Sequence, residues 1–325
     1  MVKIEPYQKS EEEMNMAAMV ETMFSVREKP WHGLGEIIQE APTSEDALRL
    51  AGLNWNVIQE PVLTKYNEMI PGYKANVRDK DRRVLGVVTD RYKVVQNSEA
   101  FAFTDALLEN GVKYETAGSL QEGRKTWMLA RLPHQYIING DEVSPYLVFM
   151  NSHDGSCSIK CAITPIRVVC NNTLNLALRT AKRTWSCMHT GDIADKMLEA
   201  RDTLFHASEY MSELGKSFDQ LNRIKLSDQK VMEYIGMLIP EPDKATDIQK
   251  KNIRKLREDL KIRYFDAPDL ADVSRGGYRF INAVSDFATH SRPIRERGNF
   301  RESLFAKTVD GNPMIDKAYQ MVMAA

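Results

Sequence analysis

No run of about 18 apolar residues interrupts the 325-residue chain, so no transmembrane helix is expected. The opening stretch, MVKIEPYQKSEEEMN, has no apolar leader and carries Glu11, Glu12 and Glu13, which argues against secretion. Cysteine is scarce: four residues, Cys157, Cys161, Cys170 and Cys187, fall close together. In a chain this long without a leader they make no case for a disulfide framework, and a reducing cytoplasm is the expected compartment. Their spacings match no common zinc arrangement, even with His189 added. Cys157 and Cys161 instead share one face of an expected strand with Ile159 and Ile163 and read as small core residues. Neither Gly33-Leu34-Gly35 nor Gly276-Gly277 continues into a phosphate-loop or dinucleotide pattern. No metal and no cofactor are therefore expected.

The most telling shortage is of acid. Residues 155–191 contain no Asp or Glu, while Lys160, Arg167, Arg179, Lys182 and Arg183 lie among them, in a chain of formal net charge -1. Residues 1–60 are the reverse, with five Lys/Arg against eleven Asp/Glu. Such segregation suits a protein that presents one surface to a polyanion and stays near neutral as a whole.

The patterning that is present predicts an α+β fold: a central, mainly antiparallel sheet with a helical C-terminal half. Residues 1–56 read as an acidic N-terminal arm, with a turn at PWHGLG (30–35) and a short helix capped by Thr43 or Ser44. Residues 57–190 form the α+β core. Its expected strands are Val84–Val88, Tyr92–Val95, Val112–Ala117, Thr126–Leu132, Tyr146–Met150 and Ile159–Val169. The turn Gln121-Glu122-Gly123 suggests a hairpin, and Ser98 caps an expected helix that ends before Gly111. Asn171 and Asn172 are expected to cap a further helix whose outer face carries Arg179, Lys182 and Arg183.

Residues 191–325 read as helical. Ile193, Met197, Ala200, Leu204, Ala207, Met211, Leu214, Phe218 and Leu221 alternate steps of four and three, a seam that demands a partner helix. The helices expected at 228–239 and 246–263, or a second subunit, are the alternatives. The stretch 244–263 carries both signs of charge and reads as a solvated helix.

The chemistry that these residues support best is polyanion binding. Lys160, Arg167, Arg179, Lys182 and Arg183 are the expected phosphate contacts, with Arg292, Arg295 and Arg297 as a second patch. Asn171 and Asn172 would present donors to a phosphate at a helix N-terminus. Tyr92, Trp127 and Tyr146 are candidate stacking faces for unpaired bases. Asn151-Ser152-His153-Asp154-Gly155-Ser156 admits a hydrolase or nuclease reading through His153 and Asp154. Adjacent residues of an extended chain point to opposite faces, however, so a β-turn is the better expectation, with Asp154 bonded to nearby backbone and Gly155 at positive φ.

Beyond composition, PWHGLG (30–35), YKVVQN (92–97), NSHDGS (151–156), PIRVVCNNTL (165–174) and NAVSDFATHSR (282–292) resemble, in this order, a phage/plasmid-like protein family of unknown function. That resemblance implies a mobile-element setting in a host-cell cytoplasm and brings no catalytic residues with it. The expected function is single-stranded DNA binding, as a homo-oligomer, for annealing or recombination, without catalysis. The alternative is a protein-interaction or anti-defence factor whose acidic arm occupies a host protein.

Overall fold

The computed structural model describes residues 20–26, 36–40, 42–108, 113–132, 135–138, 140–167, 172–173, 183–193, 195–196, 199–200, 207–291 and 311–325. The elements begin with β1 (Val20–Val26), β2 (Glu36–Ile38), α1 (Ser44–Leu50), β3 (Val57–Leu63), β4 (Met69–Arg78), β5 (Val84–Thr89) and α2 (Asn97–Leu108). There follow β6 (Lys113–Leu120), β7 (Lys125–Arg131), β8 (Tyr136–Ile138), β9 (Asp141–Ser152), β10 (Ile159–Arg167), β11 (Asn172–Thr173) and β12 (Thr184–Cys187). The last part is helical: α3 (Ala207–Arg223), α4 (Asp228–Leu238), α5 (Asp247–Phe265), α6 (Gly277–His290) and α7 (Pro313–Met323). The fold is α+β, as expected. Two compact units share the chain: one takes Met1–Pro133, Leu147–Cys161 and Trp185–Asp202, the other His134–Tyr146, Ala162–Thr184 and Thr203–Ala325. They interleave instead of following boundaries at 56 and 190.

In the first unit, β6 and β7 form the expected hairpin, with Gln121, Glu122 and Gly123 at φ 52°, 59° and 89°. Across it, Gly118 faces Trp127, whose ring fills the space a side chain at Gly118 would need. The supposed acidic arm contributes a strand to this sheet. β1 pairs antiparallel with β6 and parallel with β2, and Met23, Phe24 and Val26 are buried. Acid content is a poor guide to this stretch: Glu21 is absorbed by Arg78, which donates to both its carboxylate oxygens at 2.8 Å. Thr43 caps α1 through Asp46 N. The next helix, α2, starts at Asn97, one residue before the expected cap Ser98, and Glu99 reaches back to accept from Gln96 N.

Residues 57–89 form a separate three-stranded antiparallel sheet, β3-β4-β5, and not part of one central sheet. Tyr92–Val95, expected as a strand for its β-branched and aromatic content, belongs to no strand. Its carbonyls are taken by side chains in place of a ladder.

In the second unit, β10 pairs with β11 through Ile166–Thr173 and Arg167–Asn172. Asn172 and Thr173 are therefore extended residues of a strand, and the expected helix cap at Asn172 is corrected. The described part of the heptad seam, α3, buries Met211, Leu214, Phe218 and Leu221. Its partner is inside the chain and is α6, with the Phe218 and Tyr278 rings meeting edge to face at 5.1 Å. Arg279 of α6 is buried and donates to the carbonyls of Tyr264, Leu270, Val273 and Phe265, closing the end of α5. α5 opens with a full capping box, Thr246 with Gln249, and buries only Leu260 and Tyr264, which fits a solvated helix.

Candidate functional site

Two of the recognised sequence motifs meet in the first unit. Residues 93 and 95, and Asn97 at the start of α2, each receive one side chain. His189 Nδ1 bonds the Lys93 carbonyl at 2.9 Å, Asn151 Nδ2 donates to the Val95 carbonyl at 2.9 Å, and His153 Nε2 meets Asn97 Oδ1 at 3.1 Å. Asn97 Nδ2 donates to the Leu53 carbonyl, so its Oδ1 is the acceptor and His153 Nε2 holds the proton. A carbonyl likewise fixes the proton of His189 on Nδ1. Further bonds lock the junction: Tyr92 Oη donates to the Ser152 carbonyl, and Asn76 Nδ2 to the His153 carbonyl. Gln96 brackets Val57, accepting from its N–H and donating to its carbonyl. Gly86 of β5 lies so close to Asp154 that a Cβ there would sit 2.6 Å from the Asp154 Cα.

This junction is an ordering device and not a catalytic dyad. His153 is fully buried, and desolvation, with His189 adding to it, pushes its pKa down to about 3. Burial likewise lowers His189, against the pull of the Lys93 carbonyl, and its ring stacks on Tyr92 at 4.5 Å. Both imidazoles are neutral at pH 7. Asp154 accepts from Ser156 N at 2.9 Å, and Gly155 has φ 74°, which is the expected β-turn. His153 and Asp154 therefore form no base pair for hydrolysis. Among the described residues, no three His, Cys, Asp or Glu side chains are grouped to hold a metal ion. Cys161 is buried, as expected of a core residue, whereas Cys157 is half-exposed; Cys170 lies outside the described residues.

The expected phosphate contacts separate on inspection. Lys160 is half-exposed on β10. The Arg167 and Asn172 backbones pair with each other, and their side chains are outside the described set. Asn171, Arg179, Lys182, Arg292, Arg295 and Arg297 also lie outside the described residues. Arg183 is corrected: it is buried, and its guanidinium donates to the Ile163 carbonyl at 3.2 Å, so it faces the protein and not a solvent-borne phosphate. Tyr92 and Trp127 are corrected as stacking faces, because both are buried. Burial raises the Tyr92 phenol well above its usual range. Tyr146 is half-buried.

Described residues next to the remaining cations bond to β10: Asn172 pairs with Arg167, and the Arg183 carbonyl accepts from Ile163 N at 2.8 Å.

Exposed aromatics occur elsewhere, at positions that sequence patterning did not single out. Tyr66 follows β3 at the tip of the β3–β4 hairpin and is 74% exposed; Tyr73 on β4 is 51% exposed. A signal for them exists in the sequence: Leu63, Tyr66, Met69 and Tyr73 are large apolar residues set among turn formers, where a core has little use for them.

Residues 84–308 match a family described as a domain of unknown function, DUF932. Neither the curated proteins nor the solved structures gave a match to the chain.

Proposed function

We propose, for a chain that belongs to the DUF932 family of unknown function, that it binds single-stranded nucleic acid, DNA in the first place. The observation that supports this reading is the acid-free run that adjoins β10. Residues 155–191 hold five cations and no carboxylate, and Asn172 and Arg183 within it bond to β10. Cations with no carboxylate near them in sequence suit a phosphate backbone. With Arg183 turned inward, Lys160, Arg167, Arg179 and Lys182 are the proposed phosphate contacts, and Arg292, Arg295 and Arg297 a second group. The proposed role is annealing or recombination on a mobile element, in the cytoplasm of a host cell and by a homo-oligomer, with the resemblance to phage and plasmid proteins as support for the setting.

The test is fluorescence anisotropy of a labelled oligonucleotide titrated at several salt concentrations. The logarithm of affinity should fall linearly with log salt. Replacing Arg179 and Lys182 together by Glu should weaken binding by about tenfold or more and reduce the salt slope by roughly one for each phosphate no longer neutralised. Unchanged affinity in that double variant would remove the assignment.

A further inference from the structure

Large apolar side chains left in water on a regular sheet face mark a surface that something else covers. The β3-β4-β5 sheet has such a face. Its inward row holds Gln59, Asn76 and Gly86, opposite one another across the three strands, with Asn76 buried. Its outward rows pair Tyr73 with Thr89 and Ala75 with Val87, and Leu63 pairs with Met69 beyond a register shift toward the hairpin end. Leu63, Met69, Tyr73 and Val87 are all at least half exposed, and Tyr66 stands at the hairpin tip beside them.

Charge selects the occupant. Residues 57–91 carry seven Lys/Arg against five Asp/Glu, a net of +2. The carboxylates are largely engaged within the protein: Glu60 pairs with Arg82, Asp81 with Arg78 and Arg83, and Asp79 accepts from Asn56 N and Nδ2. Lys65, Lys74, Lys80 and Arg91 pair with no carboxylate among the described residues. Lys65 Nζ lies 4.9 Å from the Tyr66 ring centroid, so an ammonium stands beside an exposed aromatic face. An exposed ring with an unpaired cation beside it is what an unpaired, charged-backbone strand needs, with a face for the base and a cation for the phosphate.

We propose that Tyr66 and Tyr73 are base-stacking positions for single-stranded nucleic acid, and that Lys65 contacts its backbone. This rests on the binding activity proposed above and assigns its base-contacting surface. Both tyrosines precede residue 84, where the family match begins, so the two stacking positions lie outside the matched region. Stacking needs no particular base, and a paired duplex hides the faces it uses. The inference therefore carries a preference for single strands over duplex.

Anisotropy with a labelled oligothymidylate, set beside the same sequence annealed to its complement, tests this. Tyr66→Ala and Tyr73→Ala should each weaken single-strand binding about tenfold and leave the salt slope unchanged, because every cation that meets a phosphate is still in place. Tyr66→Phe and Tyr73→Phe should bind as the wild type does, since a phenyl ring stacks equally well. Thermal melts of the exposed-site variants should coincide with the wild type, which separates binding from folding. Wild-type binding that ignores both Ala substitutions overturns this inference and leaves the activity standing. The same result joined to a smaller oligomer in light scattering assigns the face to a second copy of the chain, which also overturns it. Absence of wild-type binding removes the activity and the inference together.

Discussion

His153 shows how a residue that invites a catalytic reading is spent on order. Its Nε2–H is held by Asn97, its carbonyl by Asn76, and its ring meets Trp55 edge to face at 5.3 Å. Its Nδ1, His189 Nε2 and Asn151 Oδ1 are buried lone pairs with no protein donor. Such a site resists protonation, and the consequence for stability has a definite sign. The folded pKa near 3 lies below the ordinary histidine value of 6.5, so the unfolded chain binds the extra proton between them. Stability is unaffected by this group above that window and falls with pH inside it, by up to about 1.4 kcal/mol per pH unit. Glu21 adds to the loss at lower pH. Burial alone would raise it, but the Arg78 hydrogen bonds and charge hold it below its usual value, so its contribution is present above 4.5 and disappears on acidification. Urea midpoints measured from about pH 7 to about pH 4.5 should therefore decline. In the same range the His153 imidazole resonance should stay at its neutral position.

At the level of elements, the sheet of the first unit depends on one missing side chain. A Cβ at Gly118 would overlap the Thr22 carbonyl oxygen and the Trp127 ring, so β1, β6 and β7 approach as they do only because this position is glycine. Gly118→Val should cost about 3 kcal/mol or more, as overpacking against backbone does, and a lowered chemical-denaturation midpoint would show it. The motif stretches are tied together by bonds of a different kind. The 92–97 segment has the composition of a strand, yet its carbonyls accept from Asn151 and His189, residues 56 and 96 positions away. The helices behave more locally. Thr43, Ser227 and Thr246 each cap their own helix, and Asn312 with Pro313 opens α7.

For the whole molecule, the two units take alternating pieces of chain. A fragment of residues 57–190, the core that composition marks out, keeps 134–146 and 162–184 but lacks the 203–325 portion of the same unit. It also lacks β1, the neighbour of β6. Such a fragment should show no cooperative thermal transition by circular dichroism, whereas the full chain should melt cooperatively. Charge is segregated on the same scale. The chain totals -1, but residues 1–60 hold eleven Asp/Glu against five Lys/Arg and the acid-free stretch follows residue 154.

Local patterning is enough to specify the fold class, the β6–β7 hairpin, the turn at Asp154, the cap of α1, and the amphipathic seam of α3. Each of these depends on residues within a few positions of one another, through φ preference, capping bonds and helical or strand period, and so is written in the chain at short range. Only the folded chain reveals that Glu21 belongs to a strand, that α6 is the seam's partner, and that Arg183, Tyr92 and Trp127 face inward while Tyr66 and Tyr73 face water. Whether a cation or a ring is buried depends on which distant segment arrives to cover it, and a carbonyl of 92–97 accepts from a side chain only once that side chain has been brought there. Short-range patterns are blind to such arrivals, which is why burial of a cation or a ring is decided only in the folded chain.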